Sequence, residues 1–563
     1  MKVLIVGGVA GGASAAARLR RLDENAEIIV FERTGYISYA NCGLPYYIGG
    51  IIDDPEELTL QTPESFLGRF NVEMRVKHEV MSIDPKAKTV AVKNLESGEE
   101  YEESYDKLLL SPGAKAGYPN VRGVDSDRIF SLRTVEDTFR IKNFVESASP
   151  RSAIIAGGGF IGLEMAENLR ELGLDVTIIQ RPKQLMSPFD SDMAAFIHAE
   201  ARAKGVKLML GASVEGFEER EKGIRVLVKD AEPMEADMVI MAIGVTPDTA
   251  LAKSAGLELG IKGSIVVNER MESSVEDIYA VGDAVMVRHK VSGKDALLSL
   301  AGPANKQGRI AADNICGGDS RYTGSMGSSV LKFFSLTAAC TGLSETAAKA
   351  AGIDADKVIL SPMSHAGYYP GGKVMTMKLV FEKETYRILG AQIVGYEGVD
   401  KRIDVIATAI HARIPATELA QLDLAYAPPY SSAKDPVNMA GFMVENISKG
   451  ILKQWFVEDE PALPRDGSVI LLDTRTQREF SRGHAEGFIN IPVDELRRRA
   501  GELPKGKTVF VMCQSGIRSY IACRILTGLG FDARNFSGGY RYFEAVKRDK
   551  RLVEESMPCG ADK

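Results

Sequence analysis

The chain is predicted to be an α/β protein built from two nucleotide-binding βαβ folds in series, followed by a separate α/β unit. Three observations predict this. An apolar strand near the N-terminus runs into a glycine turn and a helix. The same pattern returns from residue 153. Near the C-terminus a strand meets a helix through a loop that begins with cysteine.

The 563 residues leave room for roughly four domains. A hydrophobic fraction of 45% is ordinary for a globular protein. The net charge of −7 and pI near 5.7 argue against nucleic acid as a main partner. No apolar run reaches the length of a membrane span. Residues 1–21 have the lysine, apolar stretch and small residues of a signal peptide. Gly7, Gly8, Gly11 and Gly12 interrupt that stretch, so a strand and turn fit better. Six cysteines (Cys42, Cys316, Cys340, Cys513, Cys523 and Cys559) show no pairing spacing. Reduced thiols in a cytoplasm are therefore expected. The histidines do not cluster with them, so no metal site is expected.

In the first fold the strand Lys2-Val-Leu-Ile-Val6 leads into Gly7-Gly8-Val9-Ala10-Gly11-Gly12 and a helix over 13–22. A second strand, Ile28-Ile-Val-Phe31, ends at Glu32 and Arg33. Glycines there let backbone approach a pyrophosphate at a helix N-terminus, and the acid suits a ribose hydroxyl. Val9 stands where the fingerprint has its middle glycine. The second fold keeps all three glycines, at 157, 159 and 162, with Phe160 and Ile161 between the last two. Its second strand, Val176-Thr-Ile-Ile179, ends in Gln180-Arg181 instead of an acid. An acid there favours NAD, whereas an arginine suits the 2′-phosphate of NADP. Three further apolar strands end in turns: one before Ser111-Pro112-Gly113, one before Gly244, and Asp277-Ile-Tyr-Ala-Val-Gly-Asp283. Asp283 can accept hydrogen bonds from a ribityl chain.

Cys42 lies in Ser38-Tyr39-Ala40-Asn41-Cys42-Gly43-Leu44-Pro45-Tyr46. A dithiol reductase needs a second cysteine about one helical turn onward, where this chain has Tyr46 and Tyr47. A lone thiol beside a flavin exchanges electrons with sulfur through a mixed disulfide, a persulfide or a sulfenic acid.

Residues 446–467 carry an acidic run, two prolines and a glycine, and read as a linker. A new pattern follows. The strand Val469-Ile-Leu-Leu472 ends at Asp473-Thr-Arg475, and Glu479, His484 and Gly487 come next. The strand Thr508-Val-Phe-Val-Met512 then enters Cys513-Gln-Ser-Gly-Ile-Arg518 and a helix over 520–529. A cysteine between a strand end and a helix N-terminus has its thiolate stabilised by converging N–H groups and the helix dipole, and Arg518 adds positive charge.

Residues 1 to about 445 resemble the flavoprotein disulfide reductases with two dinucleotide domains, in the branch of coenzyme A-disulfide reductase, NADH oxidase and NADH peroxidase. Residues 465–545 resemble the rhodanese domain, through Asp473, Arg475, Glu479, His484, Gly487, the Cys-x4-Arg loop and Phe536-Ser-Gly-Gly539. The whole resembles coenzyme A-disulfide reductase–rhodanese fusions, also described as persulfide or polysulfide reductases. Two Rossmann-like domains, an α+β dimerisation domain and an α/β rhodanese domain are implied. The expected partition is 1–150 with 265–325 for FAD, 151–264 for NAD(P)H, 326–445 for dimerisation and 468–563 for rhodanese.

The resemblance implies FAD at Gly7, Gly8, Val9, Ala10, Gly12, Glu32, Arg33, Ser111, Gly113, Asp283 and Ala301. It implies NADH or NADPH at Gly157, Gly159, Phe160, Ile161, Gly162, Gln180, Arg181 and Gly244. Coenzyme A contacts are implied for Ser14, Arg18, Arg21, Ser38, Asn41, Arg69 and Lys434. The catalytic set is Cys42, Cys513, Tyr368, Tyr426 and Arg518. The small-molecule partners are coenzyme A disulfide, coenzyme A persulfide and polysulfide, and the chain is expected to form a homodimer. The oxidase and peroxidase members carry a histidine where this chain has Ala10, which favours the disulfide reading. Two alternatives stand beside it: an NADH oxidase or peroxidase with a Cys42 sulfenic acid, and a redox-sensing sulfur carrier. Cys316, Cys340, Cys523 and Cys559 match no motif, and Cys523 is expected in the core.

Overall fold

A computed structural model describes residues 1–556; Cys559 lies outside them. The chain forms two compact units. One holds 1–183 and 205–327, and the other holds 184–204 and 328–556.

The first unit contains two five-stranded parallel sheets. One runs Ile278–Ala280, Lys107–Leu110, Lys2–Val6, Glu27–Glu32, Glu73–Val76. The strand before Asp283 thus returns from far along the chain to close this sheet. The other runs Lys207–Leu210, Asp175–Gln180, Ser152–Ala156, Met238–Met241, Ile129–Ser131. The expected boundary at 150/151 is therefore crossed, because Ile129–Ser131 belongs to the second sheet. The central strands, Lys2–Val6 and Ser152–Ala156, are apolar after their first residue, as parallel strands covered on both faces tend to be. Val3, Leu4, Ile5, Ile154 and Ile155 are all buried.

The second unit holds an antiparallel and a parallel sheet. The antiparallel sheet runs Ser329–Phe333, Leu336–Gly342, Ile388–Gly395, Thr376–Glu382, Ala355–Leu360, with helices Val399–His411 and Pro436–Ser448 against it. The parallel sheet runs Gln454–Trp455, Asp532–Phe536, Thr508–Met512, Ile470–Asp473, Ile489–Asn490. Residues 184–204, expected with the second nucleotide fold, pack in this unit as the helix Ser191–Ala203.

The linker expectation for 446–467 is corrected here. Gln454 and Trp455 form the first strand of the C-terminal sheet. Trp455, the chain's only tryptophan, is buried against Phe488, Phe510 and Phe536, and its indole N–H donates to the Val511 carbonyl at 3.3 Å. The acidic and proline residues that suggested a linker form a short turn over this core, in which Arg465 and Lys547 pair with Glu460. Trp455→Ala should cost about 3–5 kcal/mol through the cavity it leaves. Calorimetric melting of the C-terminal sheet, shifted well below that of the intact protein, would register this; an unchanged melt would make 446–467 a linker after all.

Candidate active sites

Both nucleotide folds place a helix N-terminus where their fingerprints predict it. The helices are Ala10–Leu22 and Phe160–Glu171, the first starting about one turn earlier than the sequence suggested. Neither has an acidic residue in its first turn or a side chain capping its N–H groups. These donors are left for a phosphate. Gly7 has φ +98°, and a Cβ there would stand 2.1 Å from the Ser111 carbonyl oxygen. Gly12 faces the Gly7 carbonyl so closely that a Cβ would sit 1.9 Å from its oxygen. The second fold repeats this at Gly157 and Gly162, whereas the space at Gly159 is open. Glycine is thus required for packing at the turn and helix, while the middle position is open and holds Val9 in one fold and Gly159 in the other. The residues fit two dinucleotides.

The strand-end residues occupy equivalent places in the two folds. Glu32 accepts the Gly8 N–H at 2.9 Å, and Gln180 accepts the Gly158 N–H at 2.9 Å. Both turns are thereby braced from the position that reads a ribose. Arg33 pairs with Asp248 at 2.8 Å, Asp283 pairs with Arg133 at 3.2 Å, and Ala301 opens the helix Ala301–Ile315. Ser111, Gly113 and Gly244 lie at or just beyond the carboxyl ends of their strands, and Arg181 is exposed.

Cys42 sits in the single turn Asn41–Gly43, exposed, directly before the helix Leu44–Ile48. That helix is held down by its buried Leu44, Tyr47 and Ile48, and by Lys142, whose ammonium donates to the Tyr47 carbonyl at 2.9 Å. Partial desolvation pushes the Cys42 thiol up, and the carboxylates of Glu164 and Asp283 push it further. Glu164, two residues past the third fingerprint glycine, was missed in the sequence. Burial, with Glu167 beside it, raises its pKa to about 7; burial, with both carboxylates adding to it, pushes Tyr46 up to about 12. The only sequence signal was a carboxylate one turn into a nucleotide-binding helix.

Of the coenzyme A candidates, Ser14, Arg18 and Arg21 share one helix, Arg69 is exposed on Pro63–Phe70, and Ser38 and Asn41 flank Cys42. Ser14 donates to Asn305, and Arg18 pairs with Asp313 at 2.7 Å. Tyr368, Tyr426 and Lys434 lie in the second unit. The two phenol hydroxyls are hydrogen-bonded at 2.5 Å on exposed side chains, and Lys434 is exposed.

Cys513 follows the strand Thr508–Met512 and precedes the helix Ile517–Gly528. It is fully buried. Its Sγ accepts from the Gly516 N–H and the Ser519 hydroxyl, both at 3.2 Å. Arg518 keeps its charge near Cys513, as the sequence suggested. Its guanidinium forms a bidentate pair with Glu479 at 2.6 and 2.7 Å, which holds that carboxyl at about 2. Arg518 therefore braces the loop, and the donors to sulfur are Gly516 and Ser519. The serine was hidden among ordinary helix residues. Arg475 is likewise held by buried Asp473 at 2.7 Å. Cys523 is buried in the core as expected, Cys340 is buried and Cys316 is half-buried. Among the described residues no cluster of histidine, cysteine or carboxylate could hold a metal ion, and no helix is long and apolar enough to cross a membrane.

Glu164→Gln tests the Cys42 environment. Removing a neighbouring carboxylate should move the pH profile of Cys42 alkylation to lower pH, with a rate gain of about tenfold or less near pH 8. The carboxyl's raised pKa also favours folding below pH 4.5 and opposes it as pH rises through about 7. The variant should therefore lose less stability between those values. An unmoved alkylation profile would remove Glu164 from the Cys42 environment.

Comparison with known proteins agrees with this geometry. The chain matches the pyridine nucleotide-disulphide oxidoreductase family over residues 1–308, that family's dimerisation domain over 328–436, and the rhodanese-like domain over 460–545. It is 36% identical over 442 residues to the coenzyme A disulfide reductase of Staphylococcus aureus strain JH9, covering 78% of this chain and 99% of that one. The structure of reduced Bacillus anthracis CoADR-RHD superposes with a TM-score of 0.95 at 46% identity, covering 97% of this chain and 98% of that one. The NAD-dependent persulfide reductase of A. fulgidus gives 0.91 at 36%, covering 96% and 100%. The chain belongs to the pyridine nucleotide-disulphide oxidoreductases and carries a rhodanese-like domain behind the family's dimerisation domain.

Proposed function

We propose that the chain is an FAD-dependent NAD(P)H oxidoreductase that reduces coenzyme A disulfide and coenzyme A persulfide at Cys42, and that its rhodanese domain carries sulfane sulfur on Cys513. One observation supports this above others. The chain offers two separate sulfur centres: a lone exposed thiol in the nucleotide-binding unit, and a buried one cradled by an N–H and a hydroxyl at a strand–helix junction.

FAD would be held by the first glycine turn, with Val9, Ala10, Glu32, Arg33, Ser111, Gly113, Asp283 and Ala301 around it. The nicotinamide coenzyme would lie along Gly157–Gly162 with Gln180, Arg181 and Gly244. What FAD supplies when bound is a two-electron relay between a nicotinamide and a thiol. Cys42 thiolate attacks the disulfide or persulfide and releases coenzyme A or hydrosulfide. Reduction of the disulfide by NADH yields two coenzyme A thiolates, NAD⁺ and a proton. Coenzyme A persulfide yields one thiolate, hydrosulfide and NAD⁺. Ser14, Arg18, Arg21, Ser38, Asn41, Arg69 and Lys434 are proposed to bind coenzyme A, whose phosphates suit guanidinium donors. The linked Tyr368 and Tyr426 phenols would steady a departing thiolate. Arg518 keeps the Cys513 loop in shape. Polysulfide is the proposed further sulfur source. A homodimer in the cytoplasm completes the reading. The functional partition is that of the sequence, with Ile129–Ser131 added to the NAD(P)H sheet and 454–467 to the rhodanese domain.

Cys42→Ser should abolish reduction of disulfide and persulfide while FAD stays bound and reducible by NAD(P)H. Cys513→Ser should abolish thiosulfate sulfurtransfer and leave coenzyme A disulfide reduction within about twofold of the intact enzyme. Steady-state NADH oxidation at matched flavin content decides both. Disulfide reduction surviving in Cys42→Ser would sink the mechanism, and NADH oxidation that needs only oxygen or peroxide would point to the oxidase reading.

Gln180 and Arg181 neither repel a 2′-phosphate nor offer an acid to a ribose diol, so both coenzymes should serve. The ratio of kcat/KM for NADH and NADPH should stay within about a hundredfold, or 2.7 kcal/mol. A larger ratio would place the choice on other residues.

A further inference from the structure

The rhodanese domain is fastened to the rest of its unit by buried charges. Lys378, on the strand Thr376–Glu382, is 1% exposed. Its ammonium lies 3.1 Å from Asp190, 3.0 Å from Asp192 and 2.8 Å from Glu345. Tyr542, on the rhodanese helix Gly539–Ser556, donates its buried hydroxyl to Asp192 at 2.6 Å, and its ring stacks on Phe196. Lys357, on Ala355–Leu360, donates to Glu345 at 2.8 Å and to Glu458 of the rhodanese domain.

A second cluster lies further along the same rhodanese helix. Asp549 binds His198 Nδ1 at 2.8 Å and Arg202 at 2.5 Å, both on Ser191–Ala203. His198 is 1% exposed, and its Nε2 accepts the Leu185 N–H at 3.0 Å. A donor at Nε2 leaves the proton on Nδ1, so the neutral ring uses both nitrogens. Between the clusters, Ser537 accepts the Ile359 N–H at 2.9 Å, and Ile359 is buried among Trp455, Phe536 and Tyr542.

The fastened segment also shapes the sulfur cradle. Tyr540 N–H donates to the Cys513 carbonyl at 2.7 Å, and a Cβ on Gly539 would stand 2.5 Å from the Gln514 carbonyl oxygen. The Cys513 loop thus packs on Gly539 and Tyr540, whereas the docking contacts fall on Ser537, Tyr542 and Asp549.

We propose that Asp549 and Tyr542 are positioning residues of a latch, and that delivery of sulfane sulfur from Cys513 to the reductive reaction depends on it. This rests on the function proposed above. In the sequence concerned, the sulfane S–S bond of thiosulfate breaks and a new S–S bond forms on the Cys513 thiolate, releasing sulfite. The terminal sulfur then passes to a coenzyme A thiolate, which frees Cys513 and gives coenzyme A persulfide. NADH reduces this to coenzyme A thiolate and hydrosulfide, leaving NAD⁺. A rhodanese domain held in one place supplies its product from a fixed position; a loosened one does not.

The test uses the full-length, FAD-loaded protein with Asp549→Ala and Tyr542→Phe. Three rates are compared: thiosulfate-to-cyanide sulfurtransfer, NADH oxidation with coenzyme A disulfide, and NADH oxidation with thiosulfate plus coenzyme A. The first two should stay within about twofold and the third should fall about tenfold or more, with faster protease cleavage within 446–467. A third rate that falls no further than the first overturns the latch, as does unchanged cleavage. Should Asp549→Ala lose sulfurtransfer as well, Tyr542→Phe decides, because it removes one oxygen and keeps the packed ring. An intact enzyme that cannot oxidise NADH with thiosulfate and coenzyme A overturns the relay reading itself, and the latch with it; an active intact enzyme with an equally active variant overturns only the latch.

Discussion

The second unit depends on one buried ammonium. Burial alone would push Lys378 toward its neutral form, but Asp192, Asp190 and Glu345 more than offset that and hold its pKa above the ordinary value. Asp190 is also desolvated, yet Lys378 and the hydrogen bonds of Thr346 and Glu345 hold it below the ordinary carboxylate range. The lysine's contribution to stability is full below its ordinary value of 10.5 and lost as pH rises through the raised one. The aspartate's is full above 3.8 and lost as pH falls through the depressed one. The two contributions coincide across the middle of the pH range. A buried ion pair is weak evidence of net stability, but removing one partner leaves uncompensated charge inside. That asymmetry makes the junction specific: the helix Ser191–Ala203, the antiparallel sheet and the rhodanese helix fit together in an arrangement that pairs their buried charges.

The two cysteines proposed as sulfur centres sit in opposite environments. Cys513 is buried and receives two hydrogen bonds at a helix N-terminus, so a negative sulfur has fixed donors. Cys42 is exposed, and partial desolvation, with Glu164 and Asp283 adding to it, raises its pKa. Arg518 and Arg475, which look in sequence like anion receptors, are each engaged by a carboxylate and act as struts for the loop. Shape, the Gly516 N–H and the Ser519 hydroxyl, more than free cations, make the Cys513 cradle.

Much of this was legible in the sequence, because it depends on local rules. A strand, a glycine turn and a helix predict themselves through spacing and sterics, and the nucleotide folds, the Cys42 segment and the Cys513 loop were read that way. The failures came where distant residues decide. Nothing near Ile129–Ser131 says that it will pair with Met238–Met241, and nothing in 184–204 says that it leaves the nucleotide sheet for the second unit. Residues 446–467 have linker composition, yet Trp455 finds an aromatic core supplied by residues 488–543. Glu164 and Ser519 became site residues only when folding placed Cys42 and Cys513 against them. The sequence by itself determined the two βαβ folds and the turns that carry Cys42 and Cys513, since turn sterics and hydrophobic periodicity act over a few residues. Only the tertiary structure decided where the rhodanese domain is held and which charges it buries, since desolvation and pairing are properties of groups brought together from far apart in the chain.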